Sequence, residues 1–389
     1  MLLESTPTIS GFAEALRELV DVESPSEDRE AVRRAQVTLA GLGESVLGVA
    51  PSWTGPTDGP ATLTWHRGRP QDPARVLILG HADTVWPCGT TSARPFDVRN
   101  GRAYGPGVFD MKAGLVAGLH ALGAVDRELP VTFMVTGDEE IGSPASREVI
   151  LEEAARAQAV LVLEGAGPDG ALKSARKGWS VYQLQLRGLA AHAGLEPQNG
   201  RNALVRLASL VGEVSALNGQ VTGRTVTPTT ASAGTTVNTV PATAELTVDV
   251  RTESAADQER VDRQMGALAG TDWTGVEVLV SGGANRPPME RAAALPLLDR
   301  LSRLGTPGAP PLPDIAVGGI SDANLTAAAG VPTLDGLGAV GGGAHADDEW
   351  VDLAATTRRV PLVAGLIRDL IRHPLEPSRS EAEALRRER

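Results

Sequence analysis

Three short and unbroken apolar runs constrain this chain more than any other feature: ARVLILG at 74–80, PVTFMVTG at 130–137 and AVLVLEG at 159–165. A strand with one face in water alternates apolar and polar side chains, whereas a continuous run needs cover on both faces. Parallel sheets sandwiched between helices supply that cover. The segments between the runs, MKAGLVAGLHALGAV and SREVILEEAARA, repeat apolar residues at spacings of three and four and predict helices. Residues 10–44 carry the same helical spacing. Strand and helix in alternation predict an α/β sheet, a fold in which ligands gather beyond the carboxyl ends of the strands.

At residue 178 the pattern changes. GWSVYQLQLRGLA alternates with period two, GRNALVRLASLVGEVSAL is helical, and TTASAGTTVNTVPATAELTVDVRT reads as two paired strands. AADQERVDRQMGALAG is again helical and GVEVLVSGG is a strand, so the order is βαββαβ, the ferredoxin-like string. After Pro287 and Pro288 the α/β character returns and continues to a closing helix at 353–372, while the charged tail 376–389 is expected to fray. A chain of 389 residues is long for one core. The expected organisation is a catalytic domain at 1–177 and 288–389 with a smaller α+β domain inserted at 178–287.

Charge and cysteine usage exclude several classes. A net charge of -12 argues against nucleic acid and anionic membrane surfaces as partners. No apolar run approaches the roughly 20 residues of a membrane span. The opening MLLESTPTIS has no basic, apolar or cleavage-site pattern, so no signal peptide is expected. A single cysteine, Cys88, allows no intrachain disulfide and points to a reducing, cytoplasmic setting.

The second apolar run ends in TGDEEIGS, which sets Asp138, Glu139 and Glu140 side by side. Adjacent carboxylates are either a solvated loop or a cation site, and the partners elsewhere decide between them. LILGHADTVWP brings His81 and Asp83, two residues apart and so on one side of an extended segment. There the imidazole can ligate while the carboxylate orients it. YGPGVFDMKAG brings Asp110 at a helix start, where a carboxylate is also a common cap. LVLEGAG brings Glu164 and GGGAHADDEWVD brings His345. Each has an ordinary structural use taken singly; together they make sense as a ligand set. Two imidazoles with several carboxylates suit Zn2+, with Co2+ or Mn2+ as substitutes. With two ions per chain, Asp110 is the natural bridge, His81 and Glu164 complete one ion, and Glu140 and His345 the other. Glu139 remains beside the centre as the general base.

The stretches GHADTVWP, YGPGVFDMKAG, TGDEEIGS, LVLEGAG, LAAHAGLEPQNGRNA, GTTVNTVPATAELTVDVR, GGISDA and GAHADDEWV follow one another over nearly the whole chain. Together they resemble the motifs of the di-zinc aminoacylase and glutamate carboxypeptidase family of metallopeptidases. That family includes the succinyl-diaminopimelate desuccinylases, the acetylornithine deacetylases and the carboxypeptidases of G type. The resemblance implies a zinc-binding α/β catalytic domain and an inserted ferredoxin-like α+β domain through which two chains form a homodimer. It also implies that His192 reaches across the dimer and stabilises the oxyanion; the residues alone show only an imidazole at a strand-to-loop junction. Asn238, Arg251 and Arg286 match positions that grip or support the substrate carboxylate, and the arginine fork suits that task. For Arg251 and Arg286 a surface charge or an ion pair is an equal alternative. Gly319 and Ser321 in GGISDA would add a backbone or hydroxyl donor, and Ile320 between them departs from the small polar residue frequent there.

Position 164 bears on substrate. Members releasing an acylated or C-terminal amino acid tend to carry Glu there, as this chain does, and aminopeptidases and dipeptidases tend to carry Asp. The implied activity is hydrolysis of the amide joining an acyl group to an amino acid with a free carboxylate, nearest to the glutamate carboxypeptidases. A deacylase or dipeptidase of the same family is the alternative. Glu139 would take a proton from water and return it to the leaving nitrogen, with Asp83 holding His81 in its ligating tautomer. A catalytically silent dimer that binds a metabolite is the competing class. Glu139 beside a complete ligand set speaks against it.

Overall fold

The apolar runs become neighbouring strands. In the computed structural model, which describes residues 6–55, 61–69, 71–72, 75–304 and 312–375, Val76–His81 lies parallel between Val131–Thr136 and Ala159–Val162. The charged tail 376–389 lies outside the described residues. Every residue of those three strands is buried, as unbroken apolar sequence requires. Thr333–Leu334 extends one edge in parallel. Thr62–His66 and Ser52–Thr54 extend the other edge in antiparallel fashion, which the sequence patterning had not singled out. The sheet therefore reads Ser52–Thr54, Thr62–His66, Val131–Thr136, Val76–His81, Ala159–Val162, Thr333–Leu334.

Helix Ala113–Ala124 has nine of its twelve residues buried. Its Gly114 lies so close to the strand ending at Val162 that an added Cβ would stand 2.2 Å from the Leu163 carbonyl oxygen. Helices Arg29–Leu47 and Arg359–Arg372 pack against Ala113–Ala124. Asp28 caps the first of these by accepting the Ala31 N–H at 3.0 Å. A small sheet orders Gly341–Gly342, Trp350–Asp352, Arg102–Tyr104 and Asp97–Arg99, joining the two ends of the His345 loop to the segment that leads to Asp110.

These elements belong to one compact unit, Met1–Ala175 with Arg291–Val317 and Ser321–Arg389. A second unit comprises Arg176–Glu290 with Gly318–Ile320, and is thus inserted in the first along the sequence. Its antiparallel strands run in the order Thr225–Ala233, Thr243–Thr252, Gly178–Arg187, Glu277–Arg286, with the short Gly270–Thr271 at the edge. Alternate side chains of these strands, including Leu184, Leu186, Leu246 and Val248, bury against Leu207, Leu210, Val261 and Met265 of helices Ala203–Ser215 and Ala255–Gly266. The chain has the expected fold class, an α/β unit with a ferredoxin-like α+β insertion. No helix among the described residues is long and apolar enough to cross a membrane.

Candidate metal centre

His81 is the last residue of its strand, and Glu139 and Glu164 follow the ends of the two flanking parallel strands, so the register alone collects them at one edge of the sheet. Asp110 joins them from the irregular turn Val108–Lys112, and His345 from a glycine-rich loop in which its own φ is +61°. Two groups of ligand atoms result, His81 with Asp110 and Glu164, and Asp110 with Glu140 and His345. His81 Nε2 is 3.4 Å from Asp110 Oδ1 and 3.5 Å from Glu164 Oε1. His345 Nε2 is 3.4 Å from Asp110 Oδ2 and 3.3 Å from Glu140 Oε2. Asp110 thus offers one oxygen to each group. Glu139 belongs to neither.

The donor set fits a metal. Tetrahedral ligands about 2.0–2.1 Å from a shared zinc lie roughly 3.3–3.4 Å apart, close to the observed spacings. His81 Nε2, Asp110 Oδ1 and Glu140 Oε1 are buried and make no hydrogen bond, a costly state for polar atoms unless a cation completes them.

Asp83 organises one side. It is fully buried, and its carboxylate accepts the Ser26 hydroxyl at 2.7 Å and the backbone N–H groups of Glu139 and Glu140 at 3.2 and 3.1 Å. The Asp83 carbonyl takes the His81 Nδ1 proton at 3.0 Å, with Oδ1 of the same residue at 3.4 Å, which leaves Nε2 as the ligating nitrogen. Asp138, the first acid of the triplet, is spent elsewhere: it accepts Ala145 N, Ser146 N and the Ser146 hydroxyl.

The electrostatics follow from crowding acids and imidazoles out of water. Burial, reinforced by Asp322, Glu164 and Glu140, holds the Glu139 carboxyl well above the usual carboxylate range. Burial pushes Glu140 up to about 7 against the pull of His345. Burial opposes charge on His81, yet Asp110, Asp83 and Glu164 lift its pKa well above the ordinary histidine value. Asp110 and Glu140 lift His345 to about 10. Asp110 is held below its ordinary value by the two imidazoles, against the cost of burial.

The expected substrate-side residues fall out differently. In the inserted unit, His192 is exposed, and its Nδ1 accepts the N–H groups of Gly194 and Leu195, both at 3.1 Å, so the proton sits on Nε2. Asn238 is exposed beside it, its carbonyl accepting Ala193 N at 2.9 Å. Arg251 spends its fork on Asp249 of its own strand, at 3.0 and 3.1 Å, which is the ion-pair alternative. Arg286 is fully buried. Gly319 is exposed and its carbonyl accepts Arg176 Nη1 at 2.9 Å, a contact no sequence pattern announces. Ser321 departs from the expectation: it is fully buried, its hydroxyl donates to Asp335 at 2.8 Å and its N–H to Asn324 at 3.0 Å, so neither donor is available to a ligand.

The profile of peptidase family M20/M25/M40 matches residues 77–369. Carboxypeptidase G2 of Pseudomonas sp. (strain RS-16) is 32% identical over 382 residues, 91% of this chain and 88% of that one. Among solved structures, aminopeptidase PepT of Bacillus cereus superposes with a TM-score of 0.73 at 20% identity, over 93% of this chain and 99% of that one. The YXEP protein of Bacillus subtilis, described as a dinuclear metal binding peptidase, gives 0.63 at 16% identity over 94% and 98%.

Proposed function

The chain belongs to peptidase family M20/M25/M40 and is a hydrolase, and on that premise we propose that it is a two-metal amidohydrolase releasing an amino acid with a free carboxylate from an acyl group. One observation carries this most: Asp110 offers an oxygen to each of two ligand groups, with a buried carboxylate, Glu139, beside them and in neither. His81 and Glu164 would hold one ion, Glu140 and His345 the other, and zinc suits the donors best. Bound there, the ions would supply Lewis-acid activation of water and of the scissile carbonyl.

The remaining chemistry falls to side chains. Glu139, its pKa raised by burial, takes a proton from the attacking water. The water oxygen bonds to the carbonyl carbon, the C–N bond breaks, and Glu139 returns the proton to the leaving nitrogen. The products are a carboxylic acid and a free amino acid. Asp83 keeps Glu139 in place through its backbone N–H and keeps the His81 tautomer fixed. His192, exposed with Nδ1 already occupied and with exposed Leu189, Leu195 and Val237 around its loops, is suited to reach the neighbouring chain of a homodimer and donate to the oxyanion. The family resemblance gives the substrate carboxylate to Asn238, Gly319 and Arg286; of these Asn238 and Gly319 are exposed and Arg286 is buried, while Arg251 is paired with Asp249. The resemblance of its motifs to the glutamate carboxypeptidases favours glutamate as the released residue.

The test is a panel of N-acyl amino acids assayed for free amino acid. The expected outcome is turnover that chelation abolishes and Zn2+ or Co2+ restores, with N-acyl glutamates among the best substrates. Turnover unaffected by exhaustive chelation would refute the metal-dependent chemistry.

A further inference from the structure

His345 is the least supported of the proposed ligands. It is half exposed, its φ is positive, and it stands in a loop, whereas His81 is buried at a strand end. Something else must fix where its imidazole meets Asp110. Two successive turns shape the loop, Ala346 N to Gly343 O at 2.8 Å and Glu349 N to Ala346 O at 3.1 Å. Gly343 permits them: its φ is +77°, and a Cβ there would stand 2.9 Å from Glu349 Cα. The turns deliver Glu349, four residues beyond His345, into the interior with 1% of its surface exposed.

There the Glu349 carboxylate accepts four N–H groups. Oε2 takes Trp86 Nε1 at 2.9 Å and Gly107 N at 2.8 Å; Oε1 takes Phe109 N at 2.8 Å and the backbone N–H of Asp110 itself at 3.0 Å. Trp86 lies in the segment that follows His81 and Asp83. Arg94 stacks on its ring, 4.0 Å from the centroid, and donates to the Asp347 carbonyl in the His345 loop at 3.1 Å. One carboxylate therefore ties together the segments that carry Asp110, His345 and, through Trp86, His81. An ionised acceptor with both oxygens filled is what four converging donors require.

We infer, on the two-ion reading above, that Glu349 is a positioning residue that sets the Asp110 to His345 separation and thereby the affinity of the outer ion, held by Asp110, Glu140 and His345. The inner position depends on it less, because His81 is fixed by its strand and by Asp83, and Glu349 reaches that group only through the Asp110 N–H and Trp86. An amide at 349 keeps one accepting oxygen and turns an NH2 group toward two of the four donors, which forces the loop away from Asp110.

The test titrates Co2+ into the metal-free full chain and follows its visible absorption, for wild type, Glu349→Gln and Trp86→Phe, with circular dichroism to verify folding. Wild type should take up two equivalents. Glu349→Gln should bind the first nearly as wild type does and the second about 10–100-fold more weakly, the usual range for residues that orient ligands. Trp86→Phe removes one donor of the four and should weaken the second equivalent by a smaller factor, with altered second-equivalent bands; it decides the matter if the Gln variant does not fold. A folded Glu349→Gln chain with both affinities and both spectra unchanged overturns the inference, as does equal weakening of both equivalents, which a merely structural role would give. A Trp86→Phe chain indistinguishable from wild type counts against it in the same way. Failure of wild type itself to bind two equivalents would instead refute the two-ion reading.

Discussion

At the scale of single residues, the acidic triplet shows how adjacent carboxylates part company. Asp138 turns back to cap the following segment, Glu140 faces His345, and Glu139 stays buried with its pKa raised. The proposed ligands were legible in the sequence because each stands next to a local signal, a strand end or a glycine-rich turn. Glu349 and Arg176 were not. The partners of Glu349 lie 239 to 263 residues away in the chain, and no local pattern encodes them. Ser321 and Arg251 illustrate the converse, since residue type says what a side chain can donate and not whether a neighbour has already taken it. The same crowding predicts a proton count. Near pH 7.5 the metal-free protein should keep His345, lifted to about 10, and His81, raised well above its ordinary value, protonated, with Glu140 partly so at about 7. Ligation requires the unprotonated forms, so metal uptake must expel protons and strengthen as pH rises toward the histidine values. Calorimetry in buffers of different ionisation enthalpy should report net release of at least one proton per chain; enthalpies independent of buffer would contradict it.

At the scale of elements, unbroken apolar runs became the three central strands and the period-two stretches became the antiparallel sheet of the inserted unit. What escaped was either mixed in composition or too short for a period to register. Thr62–His66 interleaves threonines with Leu63 and Trp65, and all but His66 are buried, between Ser52–Thr54 and Val131–Thr136 and with Trp65 against Gly43. The strands of the small sheet are two or three residues long, and stacking of Arg102 on Trp350 and Arg99 on Tyr104 accompanies them. That sheet nonetheless matters for the site, since it anchors both ends of the His345 loop. Gly114 was equally silent. Only the packed helix reveals that any side chain there would press on Leu163 and shift Glu164 with it.

At the scale of the whole molecule, the inserted ferredoxin-like unit carries His192 and Asn238 exposed, and the proposed dimer would use His192 to complete the site of its neighbour. His192→Ala and Glu139→Gln chains should each be nearly inactive alone. After subunit exchange, random pairing makes about half the dimers mixed, each with one intact site of two, so recovery near a quarter of wild-type activity is expected. No recovery after demonstrated exchange would confine His192 to its own chain. In the proposed chemistry five residues bind two ions and Glu139 does the proton transfer beside them. The most direct measurement is metal content per chain, taken together with turnover, in Glu139→Gln. Two metal equivalents are expected, as in wild type, with turnover reduced by roughly a hundredfold or more, the scale of a lost general base. Loss of metal from that variant would make Glu139 a ligand, and retained turnover would leave it without a role; either result overturns its assignment as the base.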